Sequence, residues 1–121
     1  MDFNTAVDRH LAAVTGRDLD GYLATVHDDV TLVMLNGRVI EGRAAIGEFH
    51  RDWFADPDWS WRLTRLSSVE TGGTGVVVLA VDYDDLDQHG KPYSMHYLLG
   101  LTFTRHGEAW LLVHDQNTPK P

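Results

Sequence analysis

The apolar residues of this chain change their spacing partway along it, and that change limits the folds open to it. Near the start, Phe3, Val7, His10, Leu11 and Val14 recur at helical intervals. One face of a helix is therefore expected over about residues 3–15, closed by Gly16. Far along the chain the period is two. Tyr93, Met95, Tyr97, Leu99, Leu101 and Phe103 take one face of a strand over 92–104, and Ser94, His96, Leu98, Gly100 and Thr102 the other. A chain that starts with period 3.6 and ends with period 2 separates its helices from its strands, which is the pattern of an α+β domain.

Local signals fill in the order. Asp18 is a good N-cap for a short second helix burying Leu19, Tyr22, Leu23 and Val26. Asp28 and Asp29 lead into a strand over 30–35. Asn36-Gly37 then marks a hairpin, because both residues tolerate φ > 0, and 38–40 is the returning strand. Gly42 opens a third helix with the inner stripe Ile46, Phe49, His50, Trp53 and Phe54, which Pro57 stops. Strands follow over about 59–69, 75–86, 92–104 and 109–117, joined at Gly72-Gly73, Gln88-His89-Gly90 and His106-Gly107. Strict alternation in the last strand places Val113, Asp115 and Asn117 on one face, and Trp110, Leu112 and His114 on the other. No repeat or linker interrupts the chain, so one domain over 1–121 is expected, with a small aromatic-rich pocket between helices and sheet. The half-apolar second face of the 92–104 strand predicts that a second copy packs on the back of the sheet.

Composition narrows the function. Eighteen acidic residues against ten basic ones leave a net charge of −8, and no Lys/Arg cluster exists to displace counterions from phosphates. Nucleic acid and anionic membranes are thus not expected as partners. No apolar run approaches the ~18 residues of a membrane span, and Met1-Asp2-Phe3-Asn4 has no signal-peptide character. The absence of cysteine rules out disulfides, thiolate metal sites and a Cys nucleophile, and a cytoplasmic location fits best. The seven histidines include no pair at metal-ligand spacing. The acidic run 82–87 lacks the calcium-loop pattern and reads as a strand end with a solvated hairpin. No Gly-rich loop opens a helix, and Ser94 has no nucleophile elbow around it. Neither a metal nor a cofactor is expected.

Several segments carry a resemblance: Arg17-Asp18-Leu19-Asp20-Gly21, Asp28-Asp29-Val30-Thr31, Gly42-Arg43-Ala44-Ala45-Ile46 and Trp110-Leu111-Leu112-Val113-His114, in that order. Together they resemble the nuclear transport factor 2-like superfamily, with the SnoaL-like and ketosteroid-isomerase-like branch the closer match. The resemblance spans about residues 3–118. It implies a cone-shaped fold in which a curved sheet wraps three helices around a deep cavity, in a homodimer formed through the sheet. It does not imply one chemistry, since the superfamily holds isomerases, cyclases, dehydratases, hydrolases and non-catalytic binding modules.

Ketosteroid isomerases use an Asp base with a Tyr and a neutral Asp as oxyanion hole. The resemblance of Asp8-Arg9-His10-Leu11-Ala12-Ala13 to their first helix carries the Tyr onto His10, the base onto Met34 and the second Asp onto Leu99. Thioether and isobutyl groups move no protons, so that mechanism is excluded. The same alignment turns Asp115 toward the cavity. His10 and Asp115 are therefore the candidate acid–base pair, with imidazole as shuttle and the carboxylate as its orienter or as the base. Asn117 is a candidate for holding a carbonyl or enolate oxygen. Tyr22, Met34, Trp53, Trp59, Trp61, Tyr97 and Leu99 are the candidate pocket walls, accepting a small apolar or aromatic molecule.

Structural readings stand beside these. His10 also fits a core histidine bonded to a backbone carbonyl, Asp115 a turn cap or an Arg partner, and the tryptophans plain core. Function is thereby narrowed to three classes: an isomerase, cyclase or dehydratase; a non-catalytic ligand-binding module; or a homo-oligomeric assembly module.

Overall fold

The computed structural model describes all 121 residues. In chain order the elements are α1 (Phe3–Thr15), α2 (Leu19–Leu23), β1 (Val26–Val33), β2 (Val39–Glu41), α3 (Arg43–Ala55), β3 (Ser60–Thr71), β4 (Thr74–Leu86), β5 (Pro92–His106) and β6 (Ala109–Pro119). The six strands form one sheet in the order β2-β1-β6-β5-β4-β3. All neighbours run antiparallel except β1 and β6, which are parallel. The curved, unclosed sheet wraps the three helices in the nuclear transport factor 2-like cone expected from the sequence.

The helix ends explain themselves locally. The Asp2 carboxylate accepts from the Thr5 N–H at 2.7 Å and caps α1, a contact typically worth ~0.5–2 kcal/mol. Gly16 does not supply the left-handed residue that ends α1. It is right-handed, and Arg17 takes the left-handed position at φ 53°. The Arg17 N–H bonds the Val14 carbonyl and the Asp18 N–H bonds the Ala13 carbonyl, which together make a Schellman stop. A non-glycine residue bears that strain here because its side chain is held: Nε donates to the Asp56 carbonyl, Nη2 donates to the Trp59 carbonyl, and the guanidinium lies 4.1 Å from the Trp59 ring centroid. Asp18 caps α2 as expected.

Three departures from the sequence reading bear on the site. First, β1 starts at Val26, four residues early, because Val26 is recruited into pairing with Leu112 of β6 although His27-Asp28-Asp29 carries no apolar pattern. Second, only Gly37 of the Asn36-Gly37 pair has φ > 0, so the hairpin is a longer loop closed by bonds between Met34 and both Gly37 and Arg38. Third, strict alternation fails in β6. Thr102 faces His114 but Phe103 faces Leu112, so Val113 is an extra, bulged residue. The bulge puts Trp110 and Leu112 on the same buried side as Asp115, not on the opposite one.

One cluster of 23 buried apolar residues forms the core. One end of it is filled by Phe3, which meets Phe103 edge-on and tilts against Trp110. A Cβ on Gly75 would collide with the Phe3 ring, so glycine is what lets that ring lie against β4. Along the same strands, away from Phe3, the core opens into a cavity.

Candidate functional site

The cavity has a volume of about 340 Å³. Its walls include Leu32, Met34, Phe49, Trp53, Trp61, Met95 and Leu99, with Leu35 and Asn36 of the β1–β2 hairpin at the mouth. His10, Tyr22, His50, Tyr97, Asp115 and Asn117 supply the polar surface. The parallel pairing of β1 with β6 sets Leu32 beside Asp115, and the antiparallel pairing of β5 with β6 sets Leu99 beside Asn117. The first and last strands of the chain thus meet at the polar floor. Met34 and Leu99, which stand where the resemblance puts the isomerase carboxylates, are both on the wall.

His10 is only 2% exposed. Its Nδ1 lies 2.8 Å from the Thr25 hydroxyl, and that hydroxyl donates its single proton to the Tyr22 carbonyl at 2.6 Å. Thr25 can then only accept from His10, so Nδ1 carries the proton and Nε2 keeps its lone pair. The partner is a side-chain hydroxyl and not the backbone carbonyl that a core histidine would take. Burial, with the nearby His50 adding to it, lowers the His10 pKa to about 3, so the ring stays neutral near neutral pH.

His50 repeats the pattern from α3. Nδ1 donates to the Ile46 carbonyl at 2.8 Å, leaving Nε2 unprotonated, and burial lowers its pKa to about 4. The Tyr22 ring lies between the two imidazoles, with centroids 5.2 Å from His10 and 4.0 Å from His50, stacked on the latter. The Tyr22 hydroxyl is the one buried polar side-chain atom without a hydrogen-bond partner. Its pKa is raised by burial and then by the charge of Asp115.

Asp115 is 7% exposed and has no Arg or Lys partner. Burial raises its pKa to about 7, against which the hydrogen bond from Asn117 acts. The same carboxyl group raises Tyr97, whose main cause of shift is burial. Asn117 does not have the role expected from the sequence. Its Nδ2 donates to the Val33 carbonyl and to the Asp115 carboxyl, both at 2.9 Å. With both N–H bonds committed, no donor is left for a carbonyl or enolate oxygen. Asn117 instead orients Asp115. No hydrogen bond joins His10 to Asp115, although both reach the cavity.

Trp59 is also placed differently. It precedes β3, is buried outside the cavity, and stacks on Trp53 at 4.3 Å with its Nε1 bonded to the Trp53 carbonyl. It braces the wall from behind, with Arg17 on its ring. Trp53 in turn donates to the Tyr83 hydroxyl, which donates to Asp85. Asp85 is therefore buried and bonded, unlike the solvated hairpin acid that the run 82–87 predicts. His50 is the main site residue that the sequence reading leaves out. Its signal is present, since it shares the inner stripe of the third helix with Trp53, but helical spacing alone does not separate a cavity residue from a core one.

Comparison with known proteins agrees with this architecture. A candidate dehydratase of the nuclear transport factor 2-like family from Streptomyces avermitilis superposes with a TM-score of 0.82 at 17% identity, covering 97% of this chain and 93% of that one. A ketosteroid isomerase-like protein from Erwinia carotovora atroseptica gives 0.79 at 17% identity over 98% and 94%. The CaMKII hub of S. rosetta gives 0.77 at 22% identity over 97% and 93%. No curated protein matches the sequence. At these identities the likeness speaks for the fold alone, and the family follows from sequence: residues 7–111 match the SnoaL-like domain model, so this chain belongs to the SnoaL-like domain family.

Proposed function

We propose that the cavity binds a small, largely apolar molecule and performs proton-transfer chemistry of the isomerase, cyclase or dehydratase type, with Asp115 as the group that moves the proton. The observation that carries this reading is a lone, buried carboxyl group at the floor of an apolar cavity. With its pKa near 7, Asp115 is present in both protonation states at neutral pH, which is what a general acid–base group requires. His10 keeps a place in the pair but with an altered role. A ring that titrates near 3 stays neutral, so it accepts a hydrogen bond from the reacting molecule and does not shuttle the proton. Asn117 holds Asp115 in position. With Met34 and Leu99 at the other two positions, the paired-carboxylate route of ketosteroid isomerases has no groups to run on.

Deuterium uptake from heavy water into an enolisable apolar ketone such as 2-tetralone tests the chemistry even with the natural substrate unidentified. The protein should accelerate uptake, with a rate that rises through about pH 7, and Asp115→Asn should abolish the acceleration. Equal rates with and without protein, or an unchanged rate in Asp115→Asn, would sink it. Binding has its own check. An apolar aromatic probe such as naphthalene should quench Trp53 and Trp61, and filling the cavity with Leu99→Trp should remove the effect.

A second reading, assembly of copies through the outer face of the sheet, draws on exposed apolar residues there. Val69 of β3 pairs with Val76 of β4 on the face away from the helices, and they are 56% and 37% exposed. Like the hub domain among the similar structures, the chain would then associate, here as a homodimer. Sedimentation at micromolar concentration should give a dimer; a monomer would contradict it.

A further inference from the structure

The two imidazoles at the cavity floor are locked in the same state by separate devices. For His10 the lock is a relay: the Tyr22 carbonyl takes the Thr25 proton, so Thr25 takes the Nδ1 proton of His10. For His50 the lock is the Ile46 carbonyl one helical turn back. Each ring thus presents an Nε2 lone pair that no protein donor meets. The Tyr22 ring packs against both imidazoles, and its hydroxyl is a donor without an acceptor. Two unpaired acceptors on cavity-lining residues and an unpaired buried donor on the ring packed against both imidazoles call for a ligand group that both gives and takes a hydrogen bond.

We propose that the cavity recognises an uncharged hydroxyl group, alcoholic or phenolic, on an otherwise apolar ligand, the hydroxyl donating to an imidazole Nε2 and accepting from Tyr22. This rests on the cavity being a ligand site and adds the ligand's chemical class. Other oxygen groups fit less well. A ketone or ether accepts from Tyr22 but leaves both imidazoles unpaired. A carboxylate or phosphate meets two further acceptors, and no Lys or Arg lines the cavity to offset its charge. An amine or ammonium group satisfies the imidazoles, but an ammonium leaves Tyr22 unmatched. For an enolisable ketone, the form favoured is the enol, because only the enol carries the hydroxyl proton.

The test compares three bicyclic probes at neutral pH by calorimetric titration: naphthalene, 2-naphthol and 2-naphthoate. The expected order is 2-naphthol about tenfold tighter than naphthalene, the size of one well-made hydrogen bond, with 2-naphthoate the weakest. In the double variant His10→Phe/His50→Phe the 2-naphthol preference should fall below about twofold while naphthalene still binds, which also shows that the variant is folded. Equal affinity for naphthalene and 2-naphthol in the unaltered protein overturns the hydroxyl proposal and leaves the ligand-binding reading standing. Binding of none of the three overturns both. A readout independent of ligand is ¹⁵N NMR of the histidine rings. His10 and His50 should each show a protonated Nδ1 and a bare Nε2, and addition of 2-naphthol, but not naphthalene, should shift a bare nitrogen. A protonated Nε2 on both rings overturns the proposal outright. Thr25→Val, which removes the relay while keeping the side chain's size, should reduce the 2-naphthol preference through His10 alone.

Discussion

The two ends of this cone are built from the same elements and yet differ in kind. On α1, Phe3 and Val7 belong to the packed end, while His10 and Leu11 face the cavity. On β5, Phe103 and Leu101 are packed and Leu99 and Tyr97 line the hollow. On β6, Trp110 and Leu112 are packed and Asp115 and Asn117 are at the floor. The packed end has large rings and a glycine that admits one of them. The hollow end has fewer filling side chains, and it holds the polar groups that the packed end lacks. Packing without voids stabilises; a void lined by desolvated polar groups costs stability and is where binding and chemistry are expected.

Mutations along shared elements break or sharpen this contrast. The largest loss should come from Phe3→Ala at the packed end, ~3–5 kcal/mol by denaturant titration, since ring burial is lost and β4 has no side chain at Gly75 to fill the gap. Next is a pair two residues apart on one strand face. Leu101→Ala should cost ~3 kcal/mol, whereas Leu99→Ala, which only enlarges an existing cavity, should cost ~1 kcal/mol. Equal costs would erase the distinction between the two ends.

The pH dependence gives a third. The folded pKa of Asp115 lies above its unfolded value, so the folded state holds the proton longer, and stability from this group falls as pH rises from about 4 to about 7. The two histidines act in the opposite direction: their folded pKa values, about 3 and about 4, lie below 6.5, so their contribution is complete above 6.5 and is lost as pH falls. Asp115→Asn should therefore leave stability little changed at pH 4 and raise it by ~2–4 kcal/mol at pH 8, read from urea midpoints at both. A gain independent of pH would argue against the buried carboxyl. The smallest effect, and the one of unusual sign, belongs to Tyr22→Phe. Deleting a buried hydroxyl that has no partner should be neutral or stabilising by ~0.5–1 kcal/mol in thermal unfolding.

Much of the packed end is legible from residue order, and much less of the hollow end. The α1 stripe, the β5 alternation and the inward turn of Asp115 all follow from period and resemblance. The face of Trp110 and Leu112 does not, because a bulge at Val113 depends on how β6 registers with β5. Trp59 shares its spacing with Trp61 and so reads as a wall residue; only its stacking on Trp53 puts it behind the wall. Asn117 reads as a free donor, yet both its protons are spent on neighbours from β1 and β6.

What the sequence determined by itself was the division of labour along the chain: helical period first, strand period after, no thiols and no basic surface. These are properties of residue type and spacing, to which the resemblance to ketosteroid isomerases adds apolar residues, Met34 and Leu99, where those enzymes have carboxylates. Tertiary structure decided which lone pairs and protons are left over. The Nε2 atoms of His10 and His50 are free because the Thr25 hydroxyl and the Ile46 carbonyl take the proton of the other nitrogen, and Asp115 titrates near 7 because the sheet and helices around it keep water away. Hydrogen-bond partners and burial are settled by three-dimensional neighbours, and they set the state of every group at the floor of the cavity.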